Sequence, residues 1–290
     1  MELVAGATGS LGGRIVRELL GRGGRVRALA RDRESAAPLE AAGAEVVPGN
    51  LKDPPSLRVA CRGADLVIST ASATRRTDDT PDNVDAQGTI NLVDAARQAG
   101  VRRFVYVSTL GAAPESPVPA FRAKAAAEAH LKQSGMDYVI VQPDAFMDVW
   151  FGMLVEGPIA AGRPVTLVGE SRGRHSFIAE SDLAKFVVSA SLKPEVSNVI
   201  IALGGPEAIT FRDAVTAYEA ALGTPIDVRS VPPGSVIPGL PEIRHHRGGL
   251  REFRLAGPDT GGRGHLWSAA HDGARVRESA RGGRTRPPLR

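Results

Sequence analysis

Three glycines lie in the run Gly6-Ala7-Thr8-Gly9-Ser10-Leu11-Gly12, directly after the apolar Leu3-Val4-Ala5 and directly before the helical spacing Ile15, Val16, Leu19, Leu20. A strand, a tight turn and a helix in that order aim backbone N–H groups and the positive end of a helix dipole at an anion. Gly6 permits the sharp turn, Gly9 lets the backbone approach a pyrophosphate, and Gly12 lets the helix close on the strand. The expected chemistry is dinucleotide binding, with Gly6, Ala7, Thr8, Gly9, Ser10, Leu11 and Gly12 as contact residues. The competing reading is a turn that only joins strand to helix.

The end of the second strand bears on which dinucleotide. An acid there holds the ribose 2′-hydroxyl of NAD, whereas an arginine suits the 2′-phosphate of NADP. The sequence runs Arg27-Ala28-Leu29-Ala30-Arg31-Asp32-Arg33, with Ala30 where the acid is expected and Arg31 next to it. NADP(H) is therefore favoured, with Arg31 on the 2′-phosphate, while Asp32 keeps NAD(H) possible. On the competing reading Arg31 and Arg33 are a solvated loop.

These residues need elements to position them. Strands are predicted over Glu2–Ala5, Arg25–Ala30, Ala44–Val47, Leu66–Thr70, Arg103–Ser108 and Asp137–Gln142, and helices over Gly12–Leu20, Leu51–Cys61, Asn83–Ala99 and Phe121–Ser134. Strands spaced by helices give right-handed βαβ crossovers and hence an α/β, doubly wound parallel sheet of the Rossmann type. After residue 150 the pattern turns to short elements punctuated by Pro and Gly: Val165–Val168, Ser176–Ile178, a helix Glu180–Ser191, a strand Asn198–Leu203 and a helix Thr210–Leu222. The expected organisation is a nucleotide-binding domain over 1–150, a small C-terminal substrate lobe over 151–240 that is free to return strands to the sheet, and a distinct segment over 241–290.

Composition sets the bounds. The 290 residues are 42% hydrophobic and 23% charged, which suits a globular enzyme and excludes a disordered or collagen-like chain. No apolar run approaches the roughly 18 residues of a membrane span, and the chain enters its first strand at once, so neither a membrane segment nor a signal peptide is expected. The one cysteine, Cys61, has no intrachain partner, which points to the reducing cytoplasm. The net charge of +4 suggests nucleic acid only until it is located: residues 241–290 hold 11 Arg, no Lys and 5 acids, a net +6, leaving residues 1–240 at −2.

Three segments, GATGSLGG, VDAQGTINLVDAARQAGVRRFVYVSTLGA and QPDAFMDVW, resemble the NmrA-like branch of the atypical short-chain dehydrogenase/reductases, over residues 1–240. The resemblance implies an NAD(P)-binding Rossmann domain with a small C-terminal lobe. Members range from NADPH-dependent reductases of quinones and similar acceptors to redox sensors that bind the nucleotide without turnover. The wider superfamily uses a Tyr-x-x-x-Lys helix in which lysine lowers the tyrosine pKa for proton transfer. Here Lys124 holds the lysine position and Ala120 stands where the tyrosine belongs, so the usual proton donor is missing. The resemblance places Lys124 on the nicotinamide ribose; otherwise it is a solvent-facing helix lysine. Ser108 and Thr109 fall in the superfamily's serine region, where they orient substrate or nicotinamide, or only bond the turn. Lys124 and Ser108 are accordingly the candidate catalytic residues.

Asn50 stands where many relatives carry Asp beside the adenine, with Leu51 adding apolar and backbone contact. Thr70 and Ala71, ending the fourth strand, should pass close to the cofactor. Pro143, Asp144, Ala145 and Phe146 follow the sixth strand and flank the expected nicotinamide, with Gln142 where relatives carry arginine. Phe146, Met147, Trp150, Phe151 and Met153 either line a substrate pocket or pack as core. His175 is expected as a loop or strand-edge residue and Asp182 as part of a helix start. No metal-ligand spacing occurs, since His245 and His246 are adjacent and Cys61 stands alone.

The expected activity is NADPH-dependent hydride transfer to a small quinone or carbonyl-like acceptor; the alternative is a non-catalytic nucleotide sensor acting on a protein partner. Neither a nucleic acid nor a membrane is an expected partner. After Leu240 the sequence becomes Arg, Gly, His and Pro without apolar period. Related chains usually finish with an EFDSP-like segment, a TFG and a short EFV. Codons permitted from Phe253 onward read Phe-Asp-Ser-Pro-Asp-Leu-Thr when one C is dropped, so we expect this segment to come from a shifted reading frame and to lack a packed fold; the competing reading is a basic nucleic-acid arm.

Overall fold

The computed structural model describes residues 1–73, 78–232 and 235. The expectation for 241–290 lies outside the described residues. In chain order the elements are β1 (Glu2–Ala5), α1 (Ser10–Gly21), β2 (Val26–Ala30), α2 (Arg33–Ala41), β3 (Glu45–Pro48), α3 (Pro54–Ala60), β4 (Leu66–Ser69), a π-helical segment (Pro81–Ala86) running into α4 (Gln87–Gln98), β5 (Arg103–Val107), α5 (Pro119–Gln133) and β6 (Asp137–Pro143). There follow α6 (Met147–Phe151), a second π-helical segment (Gly152–Glu156), α7 (Gly157–Ala160), β7 (Val165–Val168), α8 (Glu180–Leu192), β8 (Val199–Leu203), α9 (Phe211–Leu222) and β9 (Val228–Val231).

The central strands are short and apolar at consecutive positions because both of their faces are covered. Val4, Ala28, Ile68, Val105 and Val139 point to one face, where Leu11, Ile15, Val16 and Leu19 of α1 meet Leu183, Val187 and Val188 of α8. Leu3, Ala5, Val67, Phe104, Tyr106 and Ile140 point to the other, against Leu57 of α3, Leu92 and Val93 of α4, and Leu131 of α5. Seven strands form one sheet in the order β3-β2-β1-β4-β5-β6-β8, every pair parallel. The order reverses between β1 and β4, and the crevice at the carboxyl ends of those strands is where this architecture takes a ligand. The expected doubly wound Rossmann-type sheet is what forms.

Several local expectations are corrected. The helix expected over Leu51–Cys61 begins only at Pro54, because Asn50 Oδ1 accepts the Lys52 amide at 3.0 Å and closes a turn first. The strand expected over Ser176–Ile178 is reduced to single bridges, Phe146 to Ile178 and His175 to Ile209. Helix α2 was not foreseen; Asp32 caps it by accepting the Ser35 amide at 2.8 Å, and Pro38 inside it hides the pattern. Strand β9 also escaped the sequence, since its partner β7 lies far away in the chain. Strand β8 returns to the main sheet beside β6. Leu154, Val155, Val165, Leu167 and Val215 make a separate small core with Trp150, Phe211 and Tyr218 packed on it.

Candidate functional site

The glycine turn sits at the reversal of the sheet. Gly6 has φ +79, and a Cβ on it would lie 2.7 Å from Thr70 Oγ1 and 2.8 Å from the Ala71 nitrogen. A Cβ on Gly12 would lie 2.1 Å from the Gly6 carbonyl oxygen, and the Gly9 amide donates to that same oxygen at 2.9 Å. Only glycine closes this turn. Thr70 donates to the Ala5 carbonyl from its amide at 3.0 Å and its hydroxyl at 3.3 Å. The seven residues of the glycine run are thereby brought together with Thr70 and Ala71. Ala7 and Leu11 put their side chains into the core, so only their backbone faces the crevice. A glycine-rich turn at the amino end of α1 suits a pyrophosphate, and the residues present fit a dinucleotide.

Ser10 spends its hydroxyl elsewhere, donating to a Glu180 carboxylate oxygen. Glu180 is buried at the start of α8, and Arg14 Nε reaches the same oxygen at 3.5 Å. Asp148 Oδ2 accepts the Glu180 amide at 2.8 Å while its other oxygen meets Arg14 Nη2 at 3.5 Å. Glu180 carried no sequence signal, because nothing local reveals that α8 abuts the start of α1.

Around β2 the three candidate charges part ways. Arg31 Nη1 donates to Asp79 Oδ2 at 2.5 Å, and Lys52 Nζ reaches the other oxygen of Asp79 at 2.9 Å. Arg33 turns away to Glu40 at 2.7 Å, and Asp32 caps α2. Asn50 is held in its turn, its amide accepted by Ser56 Oγ at 3.1 Å. Leu51 is buried and its carbonyl accepts Asn91 Nδ2 at 3.0 Å.

Lys124 is buried, which excludes the solvent-facing alternative. Its Nζ lies 3.1 Å from Asp85 Oδ1 and 5.4 Å from the centroid of the Tyr106 ring. Asp85, at the end of the first π-helical segment, also accepts Ser72 Oγ at 2.7 Å and the Ala73 amide at 3.0 Å, tying the loop after β4 to α5. Burial opposes the Lys124 charge, but Tyr106 and Asp85 outweigh it and hold Lys124 above the ordinary lysine value. Burial likewise pushes the Tyr106 phenol up. Asp85 was inside a quoted motif but not singled out; its single visible signal is an acid on an otherwise apolar helix face. The Ser108 hydroxyl is buried without a hydrogen-bond partner, directly past β5, while its amide donates to the Val141 carbonyl at 2.8 Å. Thr109 Oγ1 bonds the Leu110 carbonyl at 3.4 Å.

At the end of β6, Pro143 is buried and its carbonyl accepts the Leu110 amide at 2.9 Å. Gln142 pairs with Glu128 at 2.9 Å. Asp144 faces His175 Nδ1 at 3.2 Å and accepts the Ser176 amide at 2.8 Å. His175 is buried against Phe177 and Phe211, more enclosed than a strand-edge residue. Burial pushes Asp144 up, yet His175 and the Ser176 amide prevail and hold it below the usual carboxylate range. Phe146 packs on the main core, while Trp150 and Phe151 stack with Phe177, Phe211 and Tyr218, which favours the core reading for these rings. Met153 lines a cavity of about 140 Å³ with Leu154, Pro158 and Arg163. Asp182 lies in the first turn of α8, as expected. Among the described residues no cluster of His, Cys, Asp and Glu suits a metal, and no helix is long and apolar enough to cross a membrane.

Comparison with known proteins agrees with this geometry. A family model described as NAD(P)H-binding matches residues 6–194. An NAD(P)H azoreductase of Xenophilus azovorans is 34% identical over 226 residues, 78% of this chain and 75% of that one. The photosystem II assembly factor Ycf39 of a Synechocystis strain is 34% identical over 231 residues, 79% of this chain and 70% of that one. The fold is shared with the triphenylmethane reductase of a Citrobacter species, solved with NADP(H), at a TM-score of 0.69 and 22% identity over 79% of each chain. It is shared as well with the NADPH-dependent quinone oxidoreductase QOR2 of Escherichia coli, at 0.68 and 20% identity over 80% of this chain and 79% of that one. With the glycine turn at the sheet reversal and a family match over most of the described residues, the fold is the one that the NmrA-like resemblance implies, and the chain belongs to the NAD(P)H-binding family.

Proposed function

We propose that the protein is an NADPH-dependent reductase that passes hydride to a small quinone or carbonyl-like acceptor. The observation that carries this reading is the buried, ion-paired Lys124 beside the loop after β4, with alanine at position 120 in place of a tyrosine. Support comes from the azoreductase relative and from the NADP(H) and NADPH complexes of neighbours that are named reductases.

In this reading the backbone of Gly6 to Gly12 and the start of α1 bind the pyrophosphate, Arg31 the 2′-phosphate, and Asn50 and Leu51 border the adenine. Lys124 donates to the ribose hydroxyls, and Asp85 keeps it charged and aimed. Thr70, Ala71, Pro143 and Phe146 flank the nicotinamide, Ser108 orients the acceptor, and residues 151–240 close over it as the substrate lobe. Once bound, the reduced nicotinamide supplies the hydride. Without a tyrosine at the usual place, the acceptor that suits the site is one whose reduced form takes its proton from water, as a quinone does.

A second reading, a nucleotide sensor acting on a protein partner, is favoured by the Ycf39 relatives. Turnover separates the two: steady NADPH oxidation with a panel of quinones supports the reductase, and tight binding without turnover supports the sensor. Saturating NADPH, at 100 times its dissociation constant, should stabilise the fold by about 2.7 kcal/mol. No shift with either NADPH or NADH would refute both readings.

A further inference from the structure

We propose that Lys52 is a second cation for the 2′-phosphate of NADPH and that Asp79 is a built-in anion which this phosphate displaces, so that Asp79 sets the preference between NADPH and NADH. The proposal rests on the cofactor reading above.

Asp79 lies in the loop between β4 and the first π-helical segment, yet its side chain is only 1% exposed. A carboxylate covered to that degree needs cations beside it. Two reach it from different elements: Arg31 Nη1 from the end of β2 at 2.5 Å, and Lys52 Nζ from the turn after β3 at 2.9 Å. Lys52 also meets the exposed Asp78 at 2.8 Å. Burial works against the Asp79 charge, but the two cations prevail and hold it below the usual carboxylate range.

Arg31 and Lys52 therefore converge on one carboxylate at the carboxyl edge of β2, where the adenosine ribose is expected. Their convergence is not shared by the neighbouring Arg33, which pairs with Glu40 of its own helix. A 2′-phosphate carries close to two negative charges at neutral pH and offers three acceptor oxygens; Asp79 carries one charge and offers two. Exchange of Asp79 for that phosphate leaves both cations better neutralised. The 2′-hydroxyl of NADH brings no charge and cannot replace the carboxylate. With Asp79 seated, the site is open in only a fraction of molecules, and apparent NADPH affinity falls by that fraction.

The test is a fluorescence titration of the purified full chain with NADPH and with NADH, for the unaltered protein, Asp79→Asn and Lys52→Gln. Asp79→Asn should tighten NADPH by about fivefold to tenfold and change NADH by less than about twofold. Lys52→Gln, which leaves Arg31 as the partner of Asp79, should weaken NADPH by about tenfold and leave NADH nearly unchanged. The proposal is overturned if Asp79→Asn weakens NADPH or leaves the NADPH to NADH ratio as it was, or if Lys52→Gln shifts both nucleotides equally. A loss confined to NADH in Asp79→Asn would make Asp79 the acid that holds a 2′-hydroxyl, and overturns it too. Failure of the cofactor reading looks different: the unaltered chain then binds neither nucleotide, and the proposal falls with it.

Discussion

The Lys124 ammonium stands 3.1 Å from the Asp85 carboxylate, and both side chains are buried between α5 and the first π-helical segment. Asp85 has two further donors, Ser72 and Ala73, whereas Lys124 has Tyr106 beside it, an uncharged phenol whose ring centroid lies 5.4 Å from Nζ. The pair is thus asymmetric: losing Asp85 strands a buried cation, while losing Lys124 leaves a carboxylate still bonded to the loop after β4.

That asymmetry predicts unequal costs. Asp85→Ala should destabilise by about 3–5 kcal/mol, the usual cost of an uncompensated buried charge, and Lys124→Met by distinctly less. Denaturant unfolding of both variants checks the order; equal losses would show that the two charges are not coupled as described. Tyr106→Phe, in contrast, should leave the reductase rate within about twofold, because a general acid contributes a factor of about 100 or more and the Tyr106 hydroxyl is sealed in the core. A hundredfold fall in kcat at unchanged KM would make Tyr106 the missing proton donor.

The glycine turn predicts a contrast between adjacent positions. A Cβ on Gly12 collides with the Gly6 carbonyl oxygen at 2.1 Å, whereas one on Gly13 meets nothing nearer than the Ala7 oxygen at 3.4 Å. Gly12→Ala should abolish nucleotide binding and cost more than about 2 kcal/mol. Gly13→Ala, inside α1, should be neutral or stabilise by up to about 1 kcal/mol. Thermal unfolding with and without NADPH reads both effects, and tolerance of alanine at Gly12 would contradict this turn geometry.

Asp144 predicts a pH dependence. Its folded pKa lies below the ordinary value, so its contribution is present above the unfolded pKa of about 3.9 and is lost as pH falls through the folded value. Asp144→Asn should lower stability near neutral pH by about 1–2 kcal/mol through loss of the His175 and Ser176 bonds. The melting-temperature gap between the two proteins should narrow below about pH 4. A gap that stays constant down to pH 2.5 would rule out the linkage.

Much of the site was visible in the chain because its determinants are local. A strand, a glycine turn and a helix occupy consecutive residues, and apolar runs on short strands announce a sheet covered on both faces. Lys124 stands out in the sequence by its place in the Tyr-x-x-x-Lys motif that the resemblance supplies, and the fold buries it. Apolar spacing over Leu51–Cys61 predicts a longer helix than the one that forms, because the Asn50 turn, a side-chain effect, delays its start to Pro54.

By itself the sequence determined the doubly wound parallel sheet, the Gly6 to Gly12 turn at its first crossover, and the absence of a tyrosine four residues before Lys124. The tertiary structure alone decided what each charge meets. Arg31 finds Asp79 across 48 residues, and Ser10 finds Glu180 across 170. Periodicity reports which face a residue takes, and it carries no record of which distant element packs there. The partners of buried charges are set by that packing, since each must be neutralised by whatever the fold brings within reach.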